Sequence, residues 1–143
     1  MKKTVFANWG HARQGKSDTI KRIAKKILDS YPNATTEPSQ IDYSADINVI
    51  ITADNLKIGI ESQGDPNSRL PDSLKRFSAD NCDIIICATR TSGGTVEEVD
   101  NLAPKYDIIW VTNYRSKENT EKLNQLSAEQ IFDLIKKRID EKI

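Results

Sequence analysis

Eight residues near the start of the chain combine the types of group that hold a phosphorylated ligand. The segment runs Gly10-His11-Ala12-Arg13-Gln14-Gly15-Lys16-Ser17 and places a lysine and a serine directly after the second of its two glycines. Glycine has no Cβ, so the backbone N–H groups of such a loop can approach phosphate oxygens closely. A lysine adds a full positive charge, and a serine hydroxyl can coordinate Mg²⁺. The residue types and their spacing therefore predict a site for a phosphate chain and its metal ion.

The residues on either side give this loop a strand before it and a helix after it. Residues 4–9 are mostly apolar and predict a first strand. Residues 16–29 predict an amphipathic helix, because their apolar positions follow the i, i+3, i+4, i+7, i+8 spacing of one helix face. These positions are Ile20, Ile23, Ala24, Ile27 and Leu28. A helix in this place directs the partial positive charge of its N-terminus at the loop.

In this setting the eight residues match G-x-x-x-x-G-K-[ST] at every position, and the chain resembles the P-loop NTPase superfamily. The resemblance implies a nucleoside triphosphate bound with Mg²⁺ at the carboxyl ends of the strands. It implies that Lys16 acts on the β- and γ-phosphates and that Ser17 coordinates Mg²⁺. The implied ligand-binding residues are Gly10, His11, Ala12, Arg13, Gln14, Gly15, Lys16, Ser17 and Asp18.

The rest of the chain alternates strands with helices. Further strands are predicted over 47–52, 56–61, 83–88 and 107–112, and further helices over 73–79 and 96–102. The turn at 53–55 joins the first two of these strands into an antiparallel hairpin. Residues 33–45 have no period and predict a loop, and Ser127 with Gln130 forms a capping box that is expected to begin the last helix. The sequence thus predicts one domain over 1–143, a three-layer α/β P-loop fold with a mostly parallel sheet of about five strands and one antiparallel edge hairpin.

A second group of candidates follows the hairpin. Glu61 ends an apolar strand, as does the Walker B carboxylate that holds Mg²⁺, and it is a predicted catalytic and metal-binding residue. Gly64, three residues later, resembles the glycine of the D-x-x-G motif in Ras-like GTPases, whose N–H contacts the γ-phosphate. Two departures from that family are visible: Glu61 replaces its Asp, and Asp65 stands where a water-positioning Gln is expected. The alternative interpretations are a surface carboxylate for Glu61 and a turn residue for Asp65.

Two later loops supply the remaining candidates. Arg90 follows the strand 83–88 and is predicted to stabilise phosphate charge as a catalytic residue, with an ion pair to a nearby carboxylate as the alternative. Ras-like proteins recognise guanine with N-K-x-D after a late strand, where this chain has Asn113-Tyr114-Arg115-Ser116. Because the Lys and the Asp of that motif are both missing, guanine specificity is unsupported, and ATP is favoured over GTP. Tyr114 or Arg115 could stack on a base.

Composition limits the classes of function. The chain has 21 basic and 21 acidic side chains, so its zero formal charge argues against a nucleic-acid or membrane-surface binder. No apolar run approaches the ~20 residues of a membrane span, and a cytoplasmic location is expected. A single histidine, His11, excludes sites built on several histidines, and Cys82 and Cys87 are expected to be reduced thiols, with Cys87 buried.

These observations favour a small Mg²⁺-dependent NTPase with Lys16, Glu61 and Arg90 as its catalytic residues. A small nucleotide or metabolite kinase is the second hypothesis, although 143 residues leave little room for an acceptor-binding insertion and a lid. A module that binds nucleotide without hydrolysis is the third, because the water-positioning Gln is missing. A protein partner or a homodimer could supply a further arginine.

Overall fold

The computed structural model describes all 143 residues and contains six strands and four helices. The strands are β1 (Thr4–Trp9), β2 (Thr35–Glu37), β3 (Asn48–Ala53), β4 (Leu56–Glu61), β5 (Ile84–Thr89) and β6 (Asp107–Val111). The helices are α1 (Lys16–Ser30), α2 (Leu70–Ala79), α3 (Gly94–Asp100) and α4 (Thr120–Ile139). The succession of strands and helices confirms the predicted α/β class.

All the strands form one mixed sheet in the order β2-β3-β4-β5-β1-β6. The strands β4, β5, β1 and β6 are parallel, so their carboxyl ends lie along one edge of the sheet. β3 pairs antiparallel with both β2 and β4. Because β5 lies between β1 and β4, the end of β4 is one strand removed from the loop that follows β1. The carboxyl edge is where open α/β sheets bind their ligands.

Helices cover both faces of the sheet and make it the middle of three layers. On one face α1 and α4 pack against the sheet around a core that includes Ile23 and Ile131. On the other face α2 and α3 pack around Val5, Leu74 and Val99. β5 is buried along its whole length, as its unbroken apolar run predicts for a central strand. Because β5 is a buried central strand, the loop that follows it begins at a fixed place on the carboxyl edge, between β4 and β1.

Two predictions about individual elements are wrong. Thr35–Glu37 was expected to lie in a loop, and it pairs with β3 as a short edge strand, which brings the sheet to six strands and adds a second antiparallel pair. Backbone pairing, and not a side-chain period, makes this segment a strand. The last helix begins at Thr120, well before the expected capping box. Ser127 therefore lies inside α4, where its Oγ accepts a hydrogen bond from the N–H of Tyr114 at 2.8 Å.

The predictions for the two cysteines are confirmed. Cys82 and Cys87 are both buried and both free. Burial raises the pKa of the Cys87 thiol to about 12, so this residue is an unreactive part of the core. None of the four helices combines the length and the apolar character that crossing a membrane requires.

Candidate functional site

The glycine loop, residues 10–17, connects β1 to α1 at the carboxyl edge of the sheet. Gly15 is the N-cap of α1 and has a left-handed backbone with φ of 78°. A Cβ on Gly15 would lie 2.2 Å from the side chain of Asn124, so both the backbone conformation and the space require glycine. A Cβ on Gly10 would lie 2.6 Å from Gln14 Oε1, the far end of a flexible side chain that can move aside. The backbone conformation and the close packing thus explain the second glycine of the motif, Gly15.

Two asparagines outside the motif support the loop from behind. Asn113, after β6, donates through Nδ2 to the carbonyl oxygen of Gln14 at 3.1 Å and to Oδ1 of Asn124 at 3.0 Å. Asn124 is buried on α4 and donates to the carboxylate of Asp18 at 3.0 Å. Asp18, predicted to bind the ligand, directs its carboxylate to Asn124 and Arg22 and lies outside the site. Asn113 therefore fixes the loop backbone in this structure.

The ammonium group of Lys16 lies over the glycine loop. Its Nζ donates to the carbonyl oxygens of Gly10 at 2.7 Å and His11 at 2.5 Å, and only 9% of the residue is exposed. Burial lowers the pKa of Lys16 below its usual value, the charge of Arg90 lowers it further, and Asp65 opposes the shift. A partly desolvated cation beside a second cation is stabilised by any anion that approaches it.

The hydroxyl of Ser17 faces a carboxylate that the sequence analysis did not single out. Oδ1 of Asp46 accepts a hydrogen bond from Ser17 Oγ at 2.6 Å and from Ser62 Oγ at 2.7 Å. Burial raises the pKa of Asp46, but the two hydroxyl hydrogen bonds and the charges of Lys21 and Arg69 outweigh it, so the pKa lies below its usual value. Asp46 is therefore ionised at neutral pH, next to a hydroxyl that could share a cation with it.

These groups line one cavity of about 200 Å³, here called the loop cavity. Its wall is formed by residues 12–17, Asp46, residues 62–65 and Ala88. Gly64 packs against the end of β5, where a Cβ would lie 2.2 Å from the carbonyl oxygen of Ala88. The structure thus brings the predicted residues 12–17 and Gly64 together. The predicted residues Gly10 and His11 do not line this cavity and contribute instead the carbonyl groups that hold Lys16.

Glu61 lies outside the loop cavity, in a hydrogen-bond network of its own. Its carboxylate is fully buried and accepts two hydrogen bonds from Arg69, Nε to Oε1 at 2.7 Å and Nη2 to Oε2 at 3.1 Å. Ser73 Oγ at 2.7 Å and Asn48 Nδ2 at 3.0 Å also donate to Oε1, and the N–H of Gln63 donates to Oε2. Protein donors already surround both oxygens, which argues against the predicted catalytic and metal-binding roles of Glu61. Its complete burial also excludes the alternative of a surface carboxylate.

Arg90 follows β5 and lies outside the lining of the loop cavity, next to one of its wall residues. Its Nη2 pairs with Oδ1 of Asp65 at 2.9 Å, which is the ion pair of the alternative interpretation. Its Nε is buried and has no hydrogen-bond partner in the protein. Arg90 is also close enough to Lys16 for its charge to lower the pKa of the lysine. The predicted cations therefore meet at one end of the site, with Asp65 as their carboxylate neighbour.

A larger cavity of about 610 Å³, here called the basic cleft, adjoins the loop cavity. Its wall is formed by Arg13, Gln14, residues 114–117, Thr120 and Asn124. Arg13 and Gln14 line both cavities, so a ligand that crosses this shared wall can occupy both. The lining includes Tyr114 and Arg115, the residues considered above for stacking on a base.

Asp46, Arg69 and Asn124 are not predictable from the sequence as site residues, because a single acid, arginine or amide in a loop or helix is not distinctive. One signal was available for Asp46. The hairpin at 47–52 and 56–61 is antiparallel, so the residues that flank it, Asp46 and Ser62, must meet at its open end. The structure has this contact, and next to it the N–H of Ser62 donates to the carbonyl oxygen of Ile47 while the N–H of Ile47 donates to Oγ of Ser62.

No protein-family model matches the sequence, and comparisons with curated proteins and with solved structures give no match. A function for this chain therefore follows from its residues and their geometry.

Proposed function

We propose that the protein is a small P-loop NTPase that binds a nucleoside triphosphate with Mg²⁺ at the glycine loop and hydrolyses it slowly. One observation carries the proposal: the Lys16 ammonium, the Ser17 hydroxyl and the Asp46 carboxylate line one cavity beside the first turn of α1. A cation, a helix N-terminus and a pair of oxygen ligands are the groups that a metal-bound phosphate chain needs. Their place at the carboxyl edge of a mostly parallel sheet supports the same interpretation.

Ser17 and Asp46 fit a Mg²⁺ ion by the chemistry of their donor atoms. Mg²⁺ is usually held by one or two carboxylates, by substrate phosphates and by water. Asp46 is anionic at neutral pH, because its pKa lies below the usual value, and the Ser17 hydroxyl is already 2.6 Å from it. When bound, Mg²⁺ would neutralise part of the charge on the phosphate oxygens. Ser62 donates to the same carboxylate oxygen and orients it toward Ser17.

Lys16 and Arg90 are the side chains that would stabilise the phosphate charge. Lys16 lines the loop cavity, and Arg90 pairs with Asp65 of its wall. Lys16 holds only carbonyl groups and Arg90 holds an exposed carboxylate, and an anion could replace either kind of partner. Charge-assisted hydrogen bonds to phosphate are stronger than those to neutral carbonyls, so Lys16 gains by exchanging its partners. Gln63 lines the same cavity, and we assign it the orientation of the attacking water, because its side-chain nitrogen donates to no group of the protein.

ATP is the favoured nucleotide. The nucleoside of a ligand held at the glycine loop would extend past Arg13 and Gln14 into the basic cleft. No acidic residue lines that cleft, so it lacks a carboxylate to pair with the donor edge of guanine. Tyr114 is about half exposed at its wall and can stack on either purine. The absence of a guanine-pairing group therefore favours adenine.

A nucleotide-binding module without hydrolysis is the second candidate, and one observation favours it. Glu61, the last residue of β4, and Asp65, in the loop after it, are both paired with arginines. The remaining acid of the loop cavity, Asp46, is held by two hydroxyl groups. No carboxylate is therefore free to accept a proton from water, which is why we expect slow turnover.

Titration calorimetry with Mg²⁺–ATP, Mg²⁺–GTP and Mg²⁺–ADP tests the proposal. We expect ATP to bind, and Lys16→Ala to weaken its affinity by about 10- to 100-fold, the effect of one lost charge-assisted hydrogen bond. Lys136→Ala is the matched control, because Lys136 is an exposed lysine of α4 whose side chain makes no ion pair. Phosphate release then separates the two candidates: turnover supports the NTPase, and tight binding without release supports the module.

The Lys16→Ala variant also needs a folding control, since Lys16 is buried. Thermal unfolding without nucleotide reports whether the variant is folded, and Lys16→Met keeps the length of the buried side chain without its charge. Folded wild-type protein that binds none of the nucleotides, or a folded Lys16 variant with unchanged affinity, would overturn the proposal.

A further inference from the structure

The basic cleft contains more positive charge than a nucleoside requires. Arg13, Arg115 and Lys117 line it, and no acidic residue does. None of these three side chains makes an ion pair or a hydrogen bond within the protein. Like charges gathered on one concave wall repel each other unless an anion lies between them. The cleft therefore has the electrostatics of an anion site.

The other arginines show that an arginine without a partner is an exception in this protein. Of the seven arginines, four pair with carboxylates, as the ion pairs of Arg22, Arg69, Arg90 and Arg138 show. Arg76 lies over the ring of Phe77. The two that remain are Arg13 and Arg115, and both line the basic cleft. Glu121, near the start of the same helix as Thr120, lies toward Arg22 and leaves the cleft cations without a partner.

The cleft is also held in a fixed relation to the glycine loop. Its buried wall residue Asn124 accepts a hydrogen bond from Asn113, which also donates to the backbone of Gln14. Gln14 and Arg13 belong to both cavities. A phosphate group in the cleft would therefore lie beside the nucleoside of a nucleotide whose phosphate chain occupies the loop cavity.

We infer that the basic cleft binds a phosphate monoester adjacent to the nucleoside. This phosphate belongs either to the nucleotide itself, at a position other than its 5′ chain, or to a separate phosphorylated molecule bound beside the nucleotide. This inference rests on the proposed function, because it assumes that the 5′ phosphates occupy the loop cavity. Arg115 and Lys117 supply the recognition, with Arg13 between the two phosphate sites. Arginine suits this role because its planar guanidinium can donate two parallel hydrogen bonds to one phosphate.

The test compares the dissociation constants of Mg²⁺–ADP and of its 3′-phosphorylated derivative by titration calorimetry. We expect the second phosphate to tighten binding to the wild-type protein by about tenfold or more, the effect of one or two charge-assisted hydrogen bonds. In the double variant Arg115→Gln/Lys117→Gln the ratio of the two constants should fall to near one. Arg76→Gln/Lys136→Gln removes the same charges elsewhere on the surface and should keep the wild-type ratio.

A second titration distinguishes the two sources of the phosphate. AMP is added to protein saturated with Mg²⁺–ADP, and binding that the Arg115→Gln/Lys117→Gln variant loses identifies a separate phosphorylated molecule. Two results would overturn this inference and leave the proposed function standing. One is equal affinity of the wild type for Mg²⁺–ADP and its 3′-phosphorylated derivative together with no binding of AMP, and the other is a preference for the 3′-phosphorylated derivative that the double variant retains. Failure of ADP itself to bind overturns the proposed function and this inference with it.

Discussion

Two carboxylates at the open end of the β3–β4 hairpin have opposite surroundings. Asp46, before β3, is exposed, lines the loop cavity and accepts hydrogen bonds from the hydroxyl groups of Ser17 and Ser62. Glu61, at the end of β4, is fully buried and accepts hydrogen bonds from Arg69 and Ser73, among other donors. The two carboxyl groups are chemically alike, so their different burial and hydrogen-bond partners account for any difference in what they do.

The difference lies in what a metal ion would have to displace. At Asp46 a cation would take the place of hydroxyl hydrogens, and those hydroxyls can turn their oxygens toward it. At Glu61 a cation would compete with a bidentate arginine inside a buried network, where an unpaired charge is strongly unfavourable. Arg69 also donates to the carbonyl oxygen of Asp46 at 3.0 Å. We therefore interpret Glu61 and Arg69 as the support that positions Asp46.

Glu61→Gln should have the largest effect on stability. It removes the charge opposite Arg69 and places an amide NH₂ group in a pocket that contains mainly donors. Breaking a buried ion pair costs about 3–5 kcal/mol, and because Arg69 is 42% exposed we expect about 2–3 kcal/mol of lost unfolding free energy. Urea denaturation of the wild type and of Glu61→Gln measures this difference in unfolding free energy.

Asp65→Asn is the matched control, because it breaks an ion pair in which the carboxylate is 68% exposed and should cost less than about 1 kcal/mol. Similar losses in the two variants would contradict the structural role of Glu61. So would a Glu61→Gln protein of unchanged stability that no longer responds to Mg²⁺, since that result would make Glu61 the metal ligand.

The contrast between these two acids also shows which features of the site can be predicted from the sequence and which cannot. The strand–loop–helix around Gly15 and Lys16 could be predicted, because glycine geometry and helical periodicity are local properties. Glu61 was located correctly at the end of an apolar strand, but its partners were not predicted, because Arg69 and Ser73 contact it only where α2 packs against the sheet. Partners that tertiary packing supplies leave no local pattern.

The strands and helices differ in the same way in how far they can be predicted. Buried central strands such as β5 are visible as apolar runs, whereas β2 is exposed and is a strand only because β3 pairs with it. The start of α4 was misplaced because Asn119 begins it with a left-handed backbone and no side-chain cap. Ser127, which resembled a cap, contacts the loop after β6 instead.

Asp46→Asn should have an intermediate effect, on ligand binding more than on stability. Asparagine keeps the oxygen that accepts from Ser17 and Ser62, so the unfolding free energy should change by less than about 1 kcal/mol. If Asp46 holds Mg²⁺ as proposed, the substitution removes the charge that faces the ion, and the gain in ATP affinity from Mg²⁺ should fall by about tenfold, or about 1.4 kcal/mol. Titration of ATP with Mg²⁺ and with EDTA measures this gain.

Asp42→Asn is the control for that variant, because Asp42 also accepts hydrogen bonds from a serine and lies outside the loop cavity. Its Mg²⁺ dependence should match the wild type. Equal Mg²⁺ dependence in Asp46→Asn and wild type would mean that another residue holds the metal ion. Asp46 and Glu61 would then no longer differ in metal binding.

The smallest effect concerns the pH dependence of stability. The pKa of Asp46 is lower in the folded chain than in the unfolded one, because hydrogen bonds from Ser17 and Ser62 and nearby positive charges outweigh its burial. The unfolded state therefore binds more protons near pH 4, and the stability that ionised Asp46 contributes is present above that pH and is lost as the pH falls through the folded pKa. Because Asp46 is exposed, we expect less than about 0.5 kcal/mol. Urea denaturation from pH 7 to pH 3 should show the wild type losing its advantage over Asp46→Asn in this acidic range. An advantage that stays constant down to pH 3 would mean that the two serines do not hold the carboxylate in its ionised form.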